Sequence, residues 1–558
     1  MSSEGVDNEN NKCEVCKAPS TRKCSACKSV FYCSEIHQQE NWKEHKNQCR
    51  PFEESYSKDL GRYLKATRDI QPGGVIFSEI PLVFGPKPHR IQEGGFPCVG
   101  CCKLLSNQIC EMCPGCLWPV CSTTCEGLNI PSYHGFECNI LRLRTCSEVK
   151  SFLDFYRFDV LIVLRALYLQ KANPKKWEIL MKLEDHLEKR GLGTDVFTAI
   201  QEKFDFLMEH YLKPLKSYEK ETGQVIIPNC TEDIIHKIYG IIDVNATELT
   251  EDVDAMILYS NASLLEHNCI PNTMQIIDEN DHFRVTFRAA MAIPKGEHIT
   301  TMYTHILWST AARRDHLMET KYFKCTCKRC QDPTELGTYL SALKCIAGKD
   351  DESCGGWQLP ITPTYTNGAW MCSKCKIKLP EQDIVKFINH LSHEVDKIMT
   401  KAPNKEELED LLNKLLHFLH PNHYLLFNIK HTLIQIFTDK QIDQNDPMVW
   451  MEKLSQCDEL IDLTRKLDPG NARLSLYLGV LLNERFMAQF KILTTTFDKP
   501  TQNLYTDQIK KEISEILEEN RRILFYEQNT SAGRKLLEVV NRNRQSFENW
   551  LSEHKQTV

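Results

Sequence analysis

Cysteine and histidine spacing constrains what this chain can fold into more tightly than any other feature. Eight residues occur as Cys13-x2-Cys16-x7-Cys24-x2-Cys27-x5-Cys33-x3-His37-x7-His45-x3-Cys49, and a closely similar series recurs as Cys98-x2-Cys101-x11-Cys113-x2-Cys116-x4-Cys121-x3-Cys125-x8-His134-x3-Cys138. Thiolates and imidazoles are soft ligands suited to zinc, and eight of them make two closed tetrahedral sites. A segment of 37 residues buries too little apolar surface to hold itself together, so its folding energy is metal-binding energy. Cys102 and Cys110 fall outside the repeated order and read as bystanders.

Two further sets follow. Cys269 stands alone in "SNASLLEHNCIPNTM", Ser260 to Met274, far upstream of the tight cluster "KCTCKRC", Lys324 to Cys330, which suggests one metal tying two distant segments together. Cys345-x8-Cys354-x17-Cys372-x2-Cys375, with Gly355-Gly356 and Trp370 between, has the spacing of a small four-cysteine zinc ribbon. In all, 24 ligands would hold six zincs, using 21 of the 26 cysteines and leaving Cys102, Cys110, Cys146, Cys230 and Cys457.

So many cysteines, in a chain with no secretory h-region and no apolar run near the roughly 18 residues of a membrane span, favour thiolate metal sites over disulfides. A reducing compartment, cytoplasmic and/or nuclear, is expected, with no membrane partner. The net charge of −7 gives no basic footprint, and "TRKCSACKSVFYC" and "NWKEHKNQCR" carry only modest positive charge. Direct nucleic-acid binding is therefore not expected.

Between the metal sets the chain changes character. "GRYLKATRDIQPGGVIFSEIPLVFG", Gly61 to Gly85, alternates β-branched runs with the Pro72-Gly73-Gly74 turn and predicts two or three strands. A helical stretch over roughly Glu148 to Tyr239 shows long apolar periodicity, as in "FDVLIVLRALYL". Strands return in "HFRVTFRAAMAI" and "EHITTMY", split by Pro294-Lys295-Gly296. From about Glu381 the chain reads as helix: "EELEDLLNKLLHFL" puts Leu408, Leu411, Leu412, Leu415, Leu416 and Leu419 on one stripe, and Pro469-Gly470 separates two later helices. No clean 34-residue repeat appears, so an irregular helical array describes the end of the chain best.

The order of strands, inserted finger, inserted helices and strands resembles the SET and MYND domain (SMYD) family of protein-lysine methyltransferases. The resemblance rests on the Gly61 strand start, "ATRDIQPG", "SLLEHNCIPN", "IPKGEHITTMY" and "KYFKCTCKRC" after "RRDHL", and covers roughly Tyr56 to Cys330. The extra finger and the later ribbon point to the arthropod branch. The implied fold class is multidomain α+β: a zinc-rich β-fold SET domain with an inserted MYND finger and a helical insert, an extra N-terminal MYND finger, and a C-terminal α-helical, tetratricopeptide-like domain. The expected boundaries are 1–55 for the first finger, 56–97 for the first part of SET, 98–138 for the second finger and 139–242 for the helical insert. Core SET follows at 243–310, the post-SET zinc cluster and ribbon at 311–376, and the helical domain at 377–558.

By resemblance, the MYND ligands pair as Cys13, Cys16, Cys33 and His37, then Cys24, Cys27, His45 and Cys49. In the second finger they pair as Cys98, Cys101, Cys121 and Cys125, then Cys113, Cys116, His134 and Cys138. Cys269 joins Cys325, Cys327 and Cys330 on one zinc. The chemistry implied is in-line methyl transfer from S-adenosylmethionine to a neutral lysine amine, which the site must deprotonate or desolvate and then align. Tyr303 resembles the catalytic tyrosine whose hydroxyl faces the methyl group and the amine. Phe323 resembles the aromatic wall of the cofactor and lysine channel, His267 the position whose backbone meets the adenine, and Asn245 a cofactor-contacting asparagine. Gly61 and Arg62 open the first cofactor strand.

Two positions depart from the family pattern: Glu266 stands where an asparagine is usual, and Tyr63 where a glycine is usual. Glu266 keeps acceptor oxygens but loses the amide donor, and Tyr63 adds a ring where glycine lets a backbone approach its ligand. Facing the cofactor ammonium, Glu266 would strengthen binding; facing the carboxylate, it would repel, with Arg62 as a compensating cation. Implied partners are protein substrates with a target lysine, histone or other, and proline-rich peptides bound by the MYND fingers. The competing function is a catalytically inactive zinc-finger adaptor or corepressor scaffold.

Overall fold

The computed structural model describes residues 12–24, 30–87, 95–106, 110–144, 156–250, 252–345, 354–365, 368–436, 446–496 and 504–554. The chain forms two compact units. One comprises Met1–Phe77, Glu266–Ile276 and Thr286–Val558, and the other Ser78–Leu265 and Ile277–Val285.

In the first unit, the helix Glu35–Cys49 opens on Ser34, whose hydroxyl accepts the His37 N–H at 3.2 Å. Its composition is polar all round, and the finger's buried core is little more than Cys13, Cys24, Tyr32 and Cys49 with Val30 against it. Such a helix gains little from packing and is held by what its His37, His45 and Cys49 bind. An antiparallel hairpin follows, Phe52–Ser57 against Gly61–Ala66, with Ser57 opposite Gly61. The turn puts Gly61 at φ +70, a conformation that costs glycine nothing. The expected boundary at residue 56 falls inside this hairpin. Its first strand starts at Phe52, which is buried, and runs on through Glu53, Glu54 and Ser55, polar residues that hide the pairing from sequence patterning.

The short strands Glu266–His267 and Thr300–Thr301 pair in parallel, a ladder that joins residues far apart in the chain. Asn272, in the Cys269–Asn272 turn, reinforces it: its side chain donates to the His298 carbonyl at 2.8 Å and accepts the Thr300 N–H at 2.8 Å. The ribbon is a four-stranded sheet ordered Leu343–Lys344, Trp357–Pro360, Ala369–Cys372 and Lys378–Pro380. It therefore runs past the expected limit at 376. The helical region begins at Glu381, and Leu408, Leu411, Leu415 and Leu419 are buried in its core, while Leu412 and Leu416 pack beside them. Helices Pro447–Leu467 and Ser475–Thr496 are separated at Pro469-Gly470, as expected. One apolar core runs from Cys269, Met302 and Cys330 into Leu460, Leu478 and Leu524 of these helices, so the zinc segment and the C-terminal array share their burial.

In the second unit, the strands Val83–Pro86, Asp254–Leu258 and Thr247–Thr250 form a sheet with Asp254–Leu258 central. The helix Leu161–Ala172 is buried along most of its length and lies directly on Gly85, where an added Cβ would come within 2.7 Å of the Ile162 Cβ. The expected long helical stretch resolves into Leu161–Ala172, Pro174–Leu180, Asp195–Leu207, Lys213–Thr222 and Glu232–Asn245, broken at Pro174 and at turns containing Gly193 and Gly223. Residues 145–155, including Cys146, lie outside the described residues.

Candidate active site and metal centres

The cysteines and histidines gather four at a time. The ligand atoms of Cys13, Cys16, Cys33 and His37 lie within 4.8 Å of one another, as do those of Cys98, Cys101, Cys121 and Cys125, of Cys113, Cys116, His134 and Cys138, of Cys269, Cys325, Cys327 and Cys330, and of Cys345, Cys354, Cys372 and Cys375. The sulfur spacings fit zinc. A Zn–S bond of about 2.3 Å sets the edge of a tetrahedron near about 3.8 Å. Observed edges are 3.9 Å for Cys98–Cys125, 3.7 Å for Cys101–Cys121, 3.7 Å for Cys113–Cys138, 3.5 Å for Cys269–Cys330 and 3.6 Å for Cys345–Cys375. These are far beyond a disulfide bond and match thiolates around one ion. Cys24 and Cys49 approach to 3.5 Å, and His45 is buried in the same finger; Cys27, expected beside them, lies outside the described residues.

The structure adds residues around these clusters that ligand spacing did not reveal. His134 turns Nε2 toward Cys113 and Cys116, at 3.3 and 3.4 Å, and its Nδ1 meets Glu137 at 3.0 Å. Glu137 accepts from Arg165 twice, at 2.9 and 2.7 Å, and Arg165 also donates to the carbonyls of Val99 and Phe84. All three side chains are buried. Burial pushes the Glu137 carboxyl up, but the Arg165 and His134 contacts outweigh it and hold the group below its ordinary value. A carboxylate of this kind fixes the tautomer and aim of a zinc-bound imidazole. At the other cluster, Arg313 donates Nε–H to Cys269 Sγ at 3.2 Å and Nη2–H to Cys330 Sγ at 3.6 Å, while Nη1 binds Glu335 at 2.9 Å. Four thiolates on a divalent ion leave a formal charge of about −2, which this buried guanidinium partly offsets.

The active-site candidates meet on the same scaffold. The parallel pairing of Glu266–His267 with Thr300–Thr301 delivers Tyr303 to His267: the Tyr303 N–H donates to His267 Nδ1 at 3.0 Å. Because Nδ1 accepts, the proton of the neutral ring lies on Nε2, which faces Cys269 Sγ at 3.3 Å. His267 thus links the catalytic candidate to the zinc segment. Burial, against the opposing pull of Cys327 and with the Arg313 and Arg473 charges, pushes His267 down to about 4 and keeps it neutral at pH 7. The Tyr303 ring lies 5.4 Å from the His267 ring, and the Phe323 ring 6.1 Å from it. Phe323 follows Tyr322, a left-handed cap at φ 61 that ends the helix Thr310–Lys321 and turns the chain back. Lys321 places its ammonium 6.0 Å from the Tyr303 ring centre. Burial and the Glu266 carboxylate raise the Tyr303 phenol well above its ordinary value, so at neutral pH it is a protonated hydroxyl.

The two departures turn out to be neighbours. Tyr63 stacks on His298 with ring centres 4.4 Å apart, and His298 Nδ1 lies 2.6 Å from the Glu266 carboxylate. Glu266 therefore has an internal partner, His298, that sequence reasoning overlooked although it sits within "GEHITTMY". Arg62, expected to face a cofactor carboxylate, pairs instead with Glu54 across its own hairpin at 3.6 Å. The Asn245 amide is engaged within its own unit. Asn245 ends the helix Glu232–Asn245 in the second unit, and its amide nitrogen donates to the carbonyls of Glu184 and Ile241.

A zinc finger joined to a cysteine-clamped parallel ladder that leads to Tyr303 defines a SET-domain protein with a MYND finger. The MYND finger model matches residues 13–49 and the SET domain model residues 61–304, a span that encloses the second finger. The chain thus carries a MYND finger and a SET domain, each matched over its own span. It is 27% identical over 445 residues to the SET domain-containing protein SmydA-8, isoform B, of Drosophila melanogaster, covering 77% of this chain and 91% of that one. It is 23% identical to the histone-lysine N-methyltransferase ASHR1 of Arabidopsis thaliana, over 74% and 81% of the two chains. With the histone-lysine N-methyltransferase SMYD3 of Mus musculus it shares 24% identity over 49% of this chain and 59% of the other.

Proposed function

We infer that this chain is an S-adenosylmethionine-dependent protein-lysine N-methyltransferase acting on histone or other proteins. The observation that carries the inference is the Tyr303–His267–Cys269 linkage, which ties a neutral phenol to a zinc-anchored segment, with Phe323 beside it. The cofactor, when bound, supplies a methyl group on a sulfonium, and the π-faces of rings such as Tyr303 and Phe323 suit such a cation. Gly61, Glu266, His267, Tyr303 and Phe323 are the residues that would hold it; Arg62 also pairs with Glu54 in its hairpin, and the Asn245 amide also donates at its helix end.

What the chain's own residues do follows from their surroundings. The target amine is a nucleophile only without its proton, and a desolvated aromatic site favours the neutral form. The protonated Tyr303 hydroxyl orients that amine's lone pair, and His267 holds the Tyr303 backbone while it does so. Tyr303→Phe should lower methyl transfer sharply and leave cofactor binding nearly intact.

About six zincs per chain, the cytoplasm and/or nucleus as the working compartment, and MYND fingers that recruit proline-rich peptides complete the reading, with no role for direct nucleic-acid binding. Calorimetric titration of the full chain with S-adenosylmethionine tests it. Binding supports the enzyme; absence of binding leaves a zinc-finger adaptor, the function that Tyr63 and Glu266 would then mark.

A further inference from the structure

The loop Asp468–Leu474, between the helices Pro447–Leu467 and Ser475–Thr496, is built to hold one shape. The Asp468 carboxylate accepts the backbone N–H groups of Ala472, Arg473 and Leu474 at 2.9, 2.7 and 2.7 Å. Gly470 sits so close to the SET strand end that a Cβ there would come within 2.9 Å of the Ala290 Cβ and 3.1 Å of its carbonyl oxygen. Ala290 in turn donates its N–H to the Asn272 carbonyl at 2.8 Å, in the turn that follows His267 and Cys269. The loop is therefore seated on the active-site segment by backbone contacts that leave no room for slack.

Ala472 and Leu474 are buried in this seat, whereas Arg473 between them is exposed. Its guanidinium forms no ion pair and no side-chain hydrogen bond among the described residues. Asp468, the acid that acts on it, already spends its oxygens on three backbone donors. Surrounding protein desolvates the guanidinium and lowers its pKa, and its charge reaches His305, just past Tyr303, which burial and Arg473 together push down. Arginine stays charged throughout, so the loop presents a fixed cation whose acid, Asp468, is already committed to the backbone, seated against the turn that follows His267 and Cys269.

We propose that Arg473 is a specificity-determining residue that binds a carboxylate of the protein substrate, so that the lysine methylated by this chain lies close to an acidic side chain. The fork of N–H donors matches a carboxylate bidentately, and the clamped loop pre-organises it. The proposal rests on the methyltransferase reading.

The test uses the full chain and lysine-centred peptides in which each flanking position in turn is Glu or Gln. Methyl transfer is measured, together with peptide binding in the presence of S-adenosylhomocysteine and, separately, cofactor affinity by calorimetry. The wild type should favour Glu over Gln at a defined flanking position by about tenfold in kcat/KM, expressed in KM. Arg473→Gln should bring that ratio near unity, Arg473→Lys should keep part of it, and Arg473→Glu should turn the preference toward a basic residue, all with unchanged cofactor affinity. No preference in the wild type, or a preference that survives Arg473→Gln, overturns the proposal while leaving the enzyme intact. Loss of cofactor affinity in Arg473→Gln with peptide preference unchanged also overturns it, and assigns the guanidinium to the cofactor's own carboxylate. A wild type that binds no cofactor fails at the methyltransferase reading itself, and the proposal falls with it.

Discussion

His267 accepts from one partner and donates to another, and the two roles can be separated by substitution. Nδ1 accepts the Tyr303 N–H at 3.0 Å and Nε2 faces Cys269 Sγ at 3.3 Å. In His267→Asn, the amide oxygen reaches about as far as Nδ1 and keeps an acceptor for Tyr303, while the contact with Cys269 is lost. In His267→Gln, the longer amide reaches toward Nε2 and keeps a donor for the sulfur, while the Tyr303 N–H loses its acceptor. An unpaired buried donor costs about 1–3 kcal/mol. If that cost appears as misplacement of Tyr303 in the transition state, methyl transfer falls by about 5- to 150-fold, since each 1.4 kcal/mol or so is tenfold. The assay is single-turnover methyl transfer with zinc content and cofactor affinity measured on the same samples. His267→Gln should lose rate and keep zinc; His267→Asn should keep most of its rate and release the Cys269 zinc more readily to a chelator. Equal rates in the two variants, or loss of zinc in both with no difference in transfer, would refute the idea that this imidazole positions the tyrosine.

Other expectations follow from the same geometry. Glu137→Ala leaves Arg165 buried without its partner and should cost the second unit about 3–5 kcal/mol, with a 10- to 100-fold or so weaker hold on the zinc of His134; Glu137→Ala combined with Arg165→Met should recover much of the loss, and strict additivity would argue against the pair. Since the Glu137 carboxyl is held below its ordinary value, its contribution is present above about pH 4.3 and is lost as pH falls through the folded-state value, which acid titration of zinc release would follow. Cys269→Ser should remove one zinc and loosen Tyr303 with it; unchanged metal content on elemental analysis would break the proposed ligand set. Glu266→Gln and His298→Phe should shift cofactor affinity by similar factors, with the double variant adding little, and independent effects would separate Glu266 from His298.

Ligand chemistry was legible in the sequence because zinc demands particular atoms in fours, and short spacings such as Cys13-x2-Cys16 leave few ways to supply them. The helical end of the chain was legible for a similar reason: Leu408, Leu411, Leu415 and Leu419 recur at the period of a helix and so declare a buried face. Tyr303, Phe323 and His267 were found by resemblance of their flanking motifs, not by periodicity, since a short parallel ladder such as Glu266–His267 with Thr300–Thr301 has no local signature. Only the tertiary structure could say what each polar group touches. Glu266 read as a cofactor contact or a lost one until folding set His298 beside it and Tyr63 against His298. Arg62 read as a compensating cation and Asn245, by resemblance, as a cofactor contact; only folding showed that Glu54 lies across the hairpin from the one and two backbone carbonyls beside the amide of the other. Arg165, Glu137 and Arg313 carry no metal-ligand spacing at all, and what they do depends on a buried charge finding its partner, a matter of distance in space that residue order does not record.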